Sequence, residues 1–124
     1  MTPELTILGQ RAIKSPHWKW LQGMTAKGTG IHEEDAAECQ YVLGYDDDYS
    51  QSYFLIEPLP DFSNPATLGC LLFMVRKAYD APWIVTVCEL AHHPDYIWRL
   101  DIDDESFVAT SEAEALVAAL EAAP

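Results

Sequence analysis

Asn64-Pro65-Ala66-Thr67-Leu68-Gly69-Cys70-Leu71-Leu72-Phe73-Met74-Val75-Arg76-Lys77-Ala78-Tyr79 and, three residues later, Trp83-Ile84-Val85-Thr86-Val87-Cys88-Glu89-Leu90 place an amphipathic helix directly before a β run. Asn64 is a good N-cap and Pro65 occupies the first helical position, where its missing N–H costs nothing. Leu68, Leu71, Leu72, Val75 and Tyr79 fall at i, i+3, i+4, i+7 and i+11, so one stripe of this helix must face a core. Pro82 follows its end. The run from Trp83 to Leu90 is almost continuously apolar and β-branched, the pattern of a strand buried on both faces, and it is the expected central strand.

Toward the C-terminus, Ile97-Trp98-Arg99-Leu100-Asp101-Ile102 alternates, with Trp98, Leu100 and Ile102 on one face and Arg99 and Asp101 on the other. The acidic turn Asp103-Asp104-Glu105 leads into Phe107-Val108-Ala109 as a last short strand. A final helix starts at a capping box, Ser111 with Glu114, and points Ala113, Leu116, Val117 and Leu120 inward. Toward the N-terminus, Cys39–Tyr45 and Gln51–Ile56 read as a hairpin closed by Asp46-Asp47-Asp48-Tyr49-Ser50, with Pro58 and Pro60 stopping the sheet. Residues 31–38 read as an acidic loop or a single helical turn. His17 to Met24 reads as a short strand or extended edge entering a glycine-rich turn at Gly23, Gly28 and Gly30. The chain opens with a helix capped by Thr2, with Pro3 first, Leu5, Leu8 and Ala12 on its apolar face, and Ser15-Pro16 ending it. Helices before, between and after hairpin-like strands predict an α+β fold. An antiparallel sheet of about four to five strands should pack against two or three helices, with residues 1–124 forming a single domain.

Charge divides unevenly. Residues 1–27 hold Arg11, Lys14, Lys19 and Lys27 against Glu4, whereas the remaining 97 residues hold only Arg76, Lys77 and Arg99 against 19 acids. Such a field repels phosphates and anionic lipid and attracts basic protein surfaces or cations, so neither nucleic acid nor membrane is an expected direct partner. Lys14, His17, Trp18, Lys19 and Trp20 have the composition of a single-strand stacking surface, but the surrounding charge argues against that use and for core or edge packing. The segment Met-Thr-Pro-Glu-Leu carries no basic n-region and no long apolar run follows it, which predicts a cytoplasmic protein.

Signatures of chemistry are missing. Cys39, Cys70 and Cys88 form no C-x-x-C pair and read as reduced core thiols. His92-His93 with Asp95 is a local cluster without the i, i+4 spacing of a helical zinc site. The acidic runs at Asp46-Asp47-Asp48 and Asp101–Glu105 lack the glycine at the sixth position of a calcium loop. No glycine-flanked nucleophilic serine or phosphate-binding glycine loop occurs. No catalytic residue, cofactor-binding residue, metal ligand or cofactor is therefore expected, and the chain is not expected to be an enzyme.

Three stretches, residues 18–24 (Trp18 to Met24), 59–72 (Leu59 to Leu72) and 111–123 (Ser111 to Ala123), together resemble a family of small uncharacterised proteins encoded by bacteriophages and prophages. The resemblance implies no activity, but it implies a bacterial host cytoplasm and a phage accessory role. Small acidic proteins of that origin often occupy a host protein, sometimes by imitating the phosphates of DNA, as some anti-CRISPR proteins do. The function expected from charge and resemblance is binding and inhibition of a host or defence nucleic-acid-handling protein through its basic surface. The contacts would be Asp46, Asp47, Asp48, Asp101, Asp103, Asp104 and Glu105. The alternatives are a phage assembly component that self-associates through an exposed strand between Tyr41 and Tyr53, or a small enzyme with a carboxylate site. The chain would be a monomer or a homodimer.

Overall fold

A computed structural model describes residues 1–30, 38–43, 55–90 and 96–124. The element order is α1 (Pro3–Ile13), β1 (Thr25–Gly30), β2 (Glu38–Val42), β3 (Leu55–Pro60), α2 (Pro65–Ala78), β4 (Val87–Leu90), β5 (Tyr96–Ile102), β6 (Glu105–Ala109) and α3 (Glu112–Ala122). The class is α+β with antiparallel pairing throughout, as expected. The strands form two three-stranded sheets, β2-β1-β3 and β4-β5-β6, in place of one sheet of four or five.

All three helices begin where their local chemistry says. Thr2 Oγ1 accepts from the Leu5 N–H at 3.2 Å, Asn64 Oδ1 from the Ala66 N–H at 2.9 Å, and Ser111 Oγ from the Glu114 N–H at 3.2 Å. Each bond satisfies a donor that the first turn leaves without an intrahelical acceptor. α3 is the most buried: Ala113, Ala115, Leu116, Val117, Ala119 and Leu120 are all inside. It touches α1, α2, β5 and β6, and its alanines allow that close approach on several sides. α1 lies across β3 at Gly9, where a Cβ would stand 3.3 Å from Leu59 Cβ and 3.5 Å from the Pro60 carbonyl oxygen. Buried side chains of both sheets and all three helices join in one core cluster, from Leu8 and Met24 through Leu71 and Val75 to Leu100 and Leu116.

Several readings need correction. The glycine-rich stretch is not simply a turn: Gly23, at φ +90°, makes the turn, and Thr25–Gly30 is the middle strand of the first sheet. Two flanking strands and a bond from the buried Thr25 N–H to Thr67 Oγ1 at 2.9 Å override the poor β propensity of its glycines. Consequently β2 and β3 do not pair as a hairpin; each pairs with β1 on opposite sides. The turn at Asp46–Ser50, the residues 51–54 and the acidic loop at 31–37 lie outside the described residues.

Pro58 and Pro60 do not stop the sheet but belong to β3, which has one neighbouring strand among the described residues, so a missing N–H is tolerated there. The register there shifts by one residue, and Glu57 sits at φ +50°, as a bulge requires. Residues 18–21 form no strand, because their donors go elsewhere: the Trp18 N–H to the Ser15 carbonyl, and the Lys19 and Leu21 N–H groups to the thioethers of Met74 and Met24. Trp18 packs edge-on against Trp20 and Phe62, with ring centroids 5.3 and 6.2 Å away.

The largest correction concerns Trp83–Leu90. Only Val87–Leu90 is a strand, and it is the edge of its sheet, not the centre. Ile84 is buried, while Trp83, Val85, Val87, Cys88 and Leu90 are exposed. Cys88 is therefore not a core thiol. The alternation read in β5 holds: Leu100 and Ile102 are buried, Trp98 half-buried, and Asp101 exposed.

Candidate protein interface

The second sheet assembles the described acids of the expected site. Val87 pairs with Arg99 and Arg99 with Val108, so the three side chains share one face. Glu89, Ile97, Asp101 and Ser106 fall on that same face by the period of two. Arg99 bridges its neighbours, with Nη1 3.4 Å from Glu89 Oε1 and Nε 3.2 Å from Asp101 Oδ2. The Ser106 hydroxyl donates to Asp101 Oδ1 at 2.5 Å. Asp101 thus has its ion-pair partner and a hydrogen-bond donor within its own sheet.

Asp103, Asp104 and Glu105 have no ion-pair partner among the described residues and stand exposed at the β5–β6 connection. Asp103 takes φ +53°, in the left-handed region that Asp tolerates better than most side chains. Because β4 runs antiparallel to β5, this acidic turn lies at the N-terminal end of β4, next to the segment that carries Trp83 and Val85. Asp46, Asp47 and Asp48 lie outside the described residues, as do His92 and His93.

Sequence reasoning found a strand here but misread its surroundings, taking an exposed edge for a buried centre. Trp83, Val85, Val87 and Leu90 are 69%, 56%, 46% and 70% exposed, so this stretch carries large apolar side chains in solvent. Val87 and Leu90 lie on β4, which has one neighbouring strand among the described residues, so no described strand pairs with its outer row of N–H and C=O groups; Trp83 and Val85 lie in the segment that leads into it. The available signal was Glu89, a charge inside an apolar run, which edge strands carry and centres avoid.

The groups with shifted protonation are structural. Burial pushes the Cys70 thiol up, and its Sγ lies 3.8 Å from the Gln22 carbonyl oxygen, so it is a poor nucleophile at neutral pH. Burial and then the charge of Glu105 raise Tyr79, whose hydroxyl donates to the Ala119 carbonyl at 2.7 Å and ties α2 to α3. Burial pushes the Asp61 carboxyl up, but bonds from the Ser63 hydroxyl and N–H, with Lys27 3.5 Å away, outweigh it and hold the group below its ordinary value. Among the described residues no three His, Cys, Asp or Glu side chains converge to hold a metal ion, and no helix is long and apolar enough to cross a membrane. No family model, curated protein or solved structure matches the chain.

Proposed function

We propose that this chain is a non-catalytic binding protein that captures a basic, partly apolar extended segment of another protein by adding it as a strand at the β4 edge. The observation that carries this reading is a strand paired on one side only among the described residues, with Val87 and Leu90 exposed on it and Trp83 and Val85 exposed just before it, in the same sheet as three acids without a described counter-charge, Asp103, Asp104 and Glu105. Main-chain bonds and apolar contacts supply affinity in strand addition, while excess carboxylates accelerate encounter and set orientation. The partner's chemistry follows from the net charge of −13: an interface rich in Lys and Arg, as nucleic-acid-handling proteins have. Inhibition of such a host or defence protein, with Asp46, Asp47, Asp48, Asp101, Asp103, Asp104 and Glu105 in place of phosphates, is the role that joins this charge to the phage-like segments.

The test begins with affinity capture from a bacterial host and continues with the purified pair. Affinity is expected to fall about tenfold or more between about 50 and 300 mM salt. Changing Asp103, Asp104 and Glu105 to Asn, Asn and Gln should flatten that slope, and Val87→Pro should abolish binding by removing a strand position. Salt-independent binding, or an unaffected Val87→Pro variant, would count against the reading. A second copy of the chain could pair at the same β4 edge, a different surface from the Tyr41–Tyr53 stretch of the self-associating alternative, which lies largely outside the described residues. Sedimentation separates the two, because self-repulsion predicts a monomer across micromolar concentrations and edge pairing a dimer.

A further inference from the structure

On the face built by α2 and the segment after α1, a groove of about 480 Å³ is lined by Pro16, His17, Lys19, Leu21, Phe73, Met74, Lys77 and Ala78. Its lining joins apolar Pro16, Leu21, Phe73, Met74 and Ala78 to two cations, Lys19 and Lys77, the reverse of the molecule's net charge. The lining is fixed: the Lys19 N–H donates to Met74 Sδ at 3.2 Å, which holds the segment against α2, and Met74 is buried. Phe73 is half exposed, an unusual position for a large ring, and Lys77 Nζ lies 5.8 Å from its centroid. Neither Lys19 nor Lys77 has an ion-pair partner among the described residues, although the chain holds 20 acids to 7 bases.

From this we infer a binding site for a small aromatic carboxylate. The flat body would lie on Phe73, Met74 and Leu21, and the carboxylate would meet Lys19 and Lys77. Ligand pockets combine a mainly apolar lining with a few polar groups that set orientation, and two ammonium groups in one lining favour an anion. The acidic remainder does not prevent entry, because charges farther than about 8 Å are largely screened at physiological salt. The site uses none of the residues of the β4 edge, so it stands whether or not that edge binds a partner.

Isothermal titration of the full chain with naphthoate tests the inference, with naphthol as the uncharged probe of the same shape. One saturable site is expected, with naphthoate bound about tenfold more tightly than naphthol. The variant Lys19→Gln with Lys77→Gln should lose that preference while binding naphthol as before. Both lysines are exposed, so circular dichroism is expected to show an intact fold. Amide resonances of Lys19, Phe73 and Lys77 should shift on addition of naphthoate. Equal affinity for the two probes, naphthoate binding undiminished in the double variant, or shifts confined to other residues would overturn the proposal. So would the absence of saturable binding.

Discussion

Asp80 closes α2 in a conformation that glycine usually provides. Its φ is +51°, its N–H reaches the Lys77 carbonyl at 3.2 Å, and the Ala81 N–H reaches the Arg76 carbonyl at 2.9 Å, which together form a Schellman cap. Glu57 in the β3 bulge and Asp103 in the β5–β6 connection share the left-handed region, so all three described non-glycine residues there are acids. A left-handed backbone costs a side-chain-bearing residue about 1–2 kcal/mol, less for Asp, while glycine gives back about 0.5–1 kcal/mol in unfolded-state entropy. Asp80→Gly and Asp103→Gly are therefore each expected to stabilise the chain by about 0.5 kcal/mol, measured by thermal unfolding. The two should differ in function: Asp103→Gly should gain stability and lose affinity for a basic partner, because its carboxylate belongs to the acidic turn. A destabilised Asp80→Gly would show that the side chain, not the backbone, holds the cap.

At the scale of elements, the corner from β3 into α2 depends on one carboxylate. Asp61 is buried, its N–H donates to the Thr25 carbonyl at 2.8 Å, and its side chain accepts from Ser63 beside Lys27. Its folded pKa lies below the ordinary 3.8, so it contributes stability that is complete above that value and lost as pH falls through the folded pKa. Asp61→Asn should cost about 1.5–3 kcal/mol near neutral pH and progressively less in acid, where the wild-type carboxyl is itself protonated. Urea unfolding at several pH values measures this; a difference that stays constant into acid would assign the cost to packing. The helices around this corner were legible in the sequence because caps are local: Thr2-Pro3, Asn64-Pro65 and the Ser111–Glu114 pair each specify a start within four residues. The wet and dry faces of β5 were legible for the same reason. Edge and centre were not, since the position of a strand in a sheet depends on partners far along the chain. β1 was obscured by glycines that only its two neighbours make tolerable, and β4 was misplaced by an apolar run whose exposure depends on what fails to cover it. The acids at 101–105 were read correctly as exposed, whereas the exposed apolar residues from Trp83 to Leu90 were read as core.

For the whole molecule, the excess of charge opposes the stability of the fold, and on the proposed reading it would favour recognition of a basic partner. The folded chain holds 20 acids against 7 bases at the density of a compact particle, and unfolding relieves their mutual repulsion. Apart from the largely buried Lys27–Asp61 contact, the described ion pairs offset little of this. Arg11–Glu121, joining α1 to α3, and Arg99 with Glu89 and Asp101 are well exposed, and pairs of that kind contribute about 0–1 kcal/mol each. Added salt screens both repulsion and pairing, but the repulsive terms are more numerous, so thermal stability is expected to rise between about 20 and 300 mM salt. Binding of a basic partner is expected to weaken over that same interval. Opposite slopes in two measurements on one sample identify the excess as a surface field retained for recognition at a cost to the fold. A thermal midpoint that falls with salt would show instead that the acids are paired within the chain, leaving the β4 edge to depend on apolar contact alone.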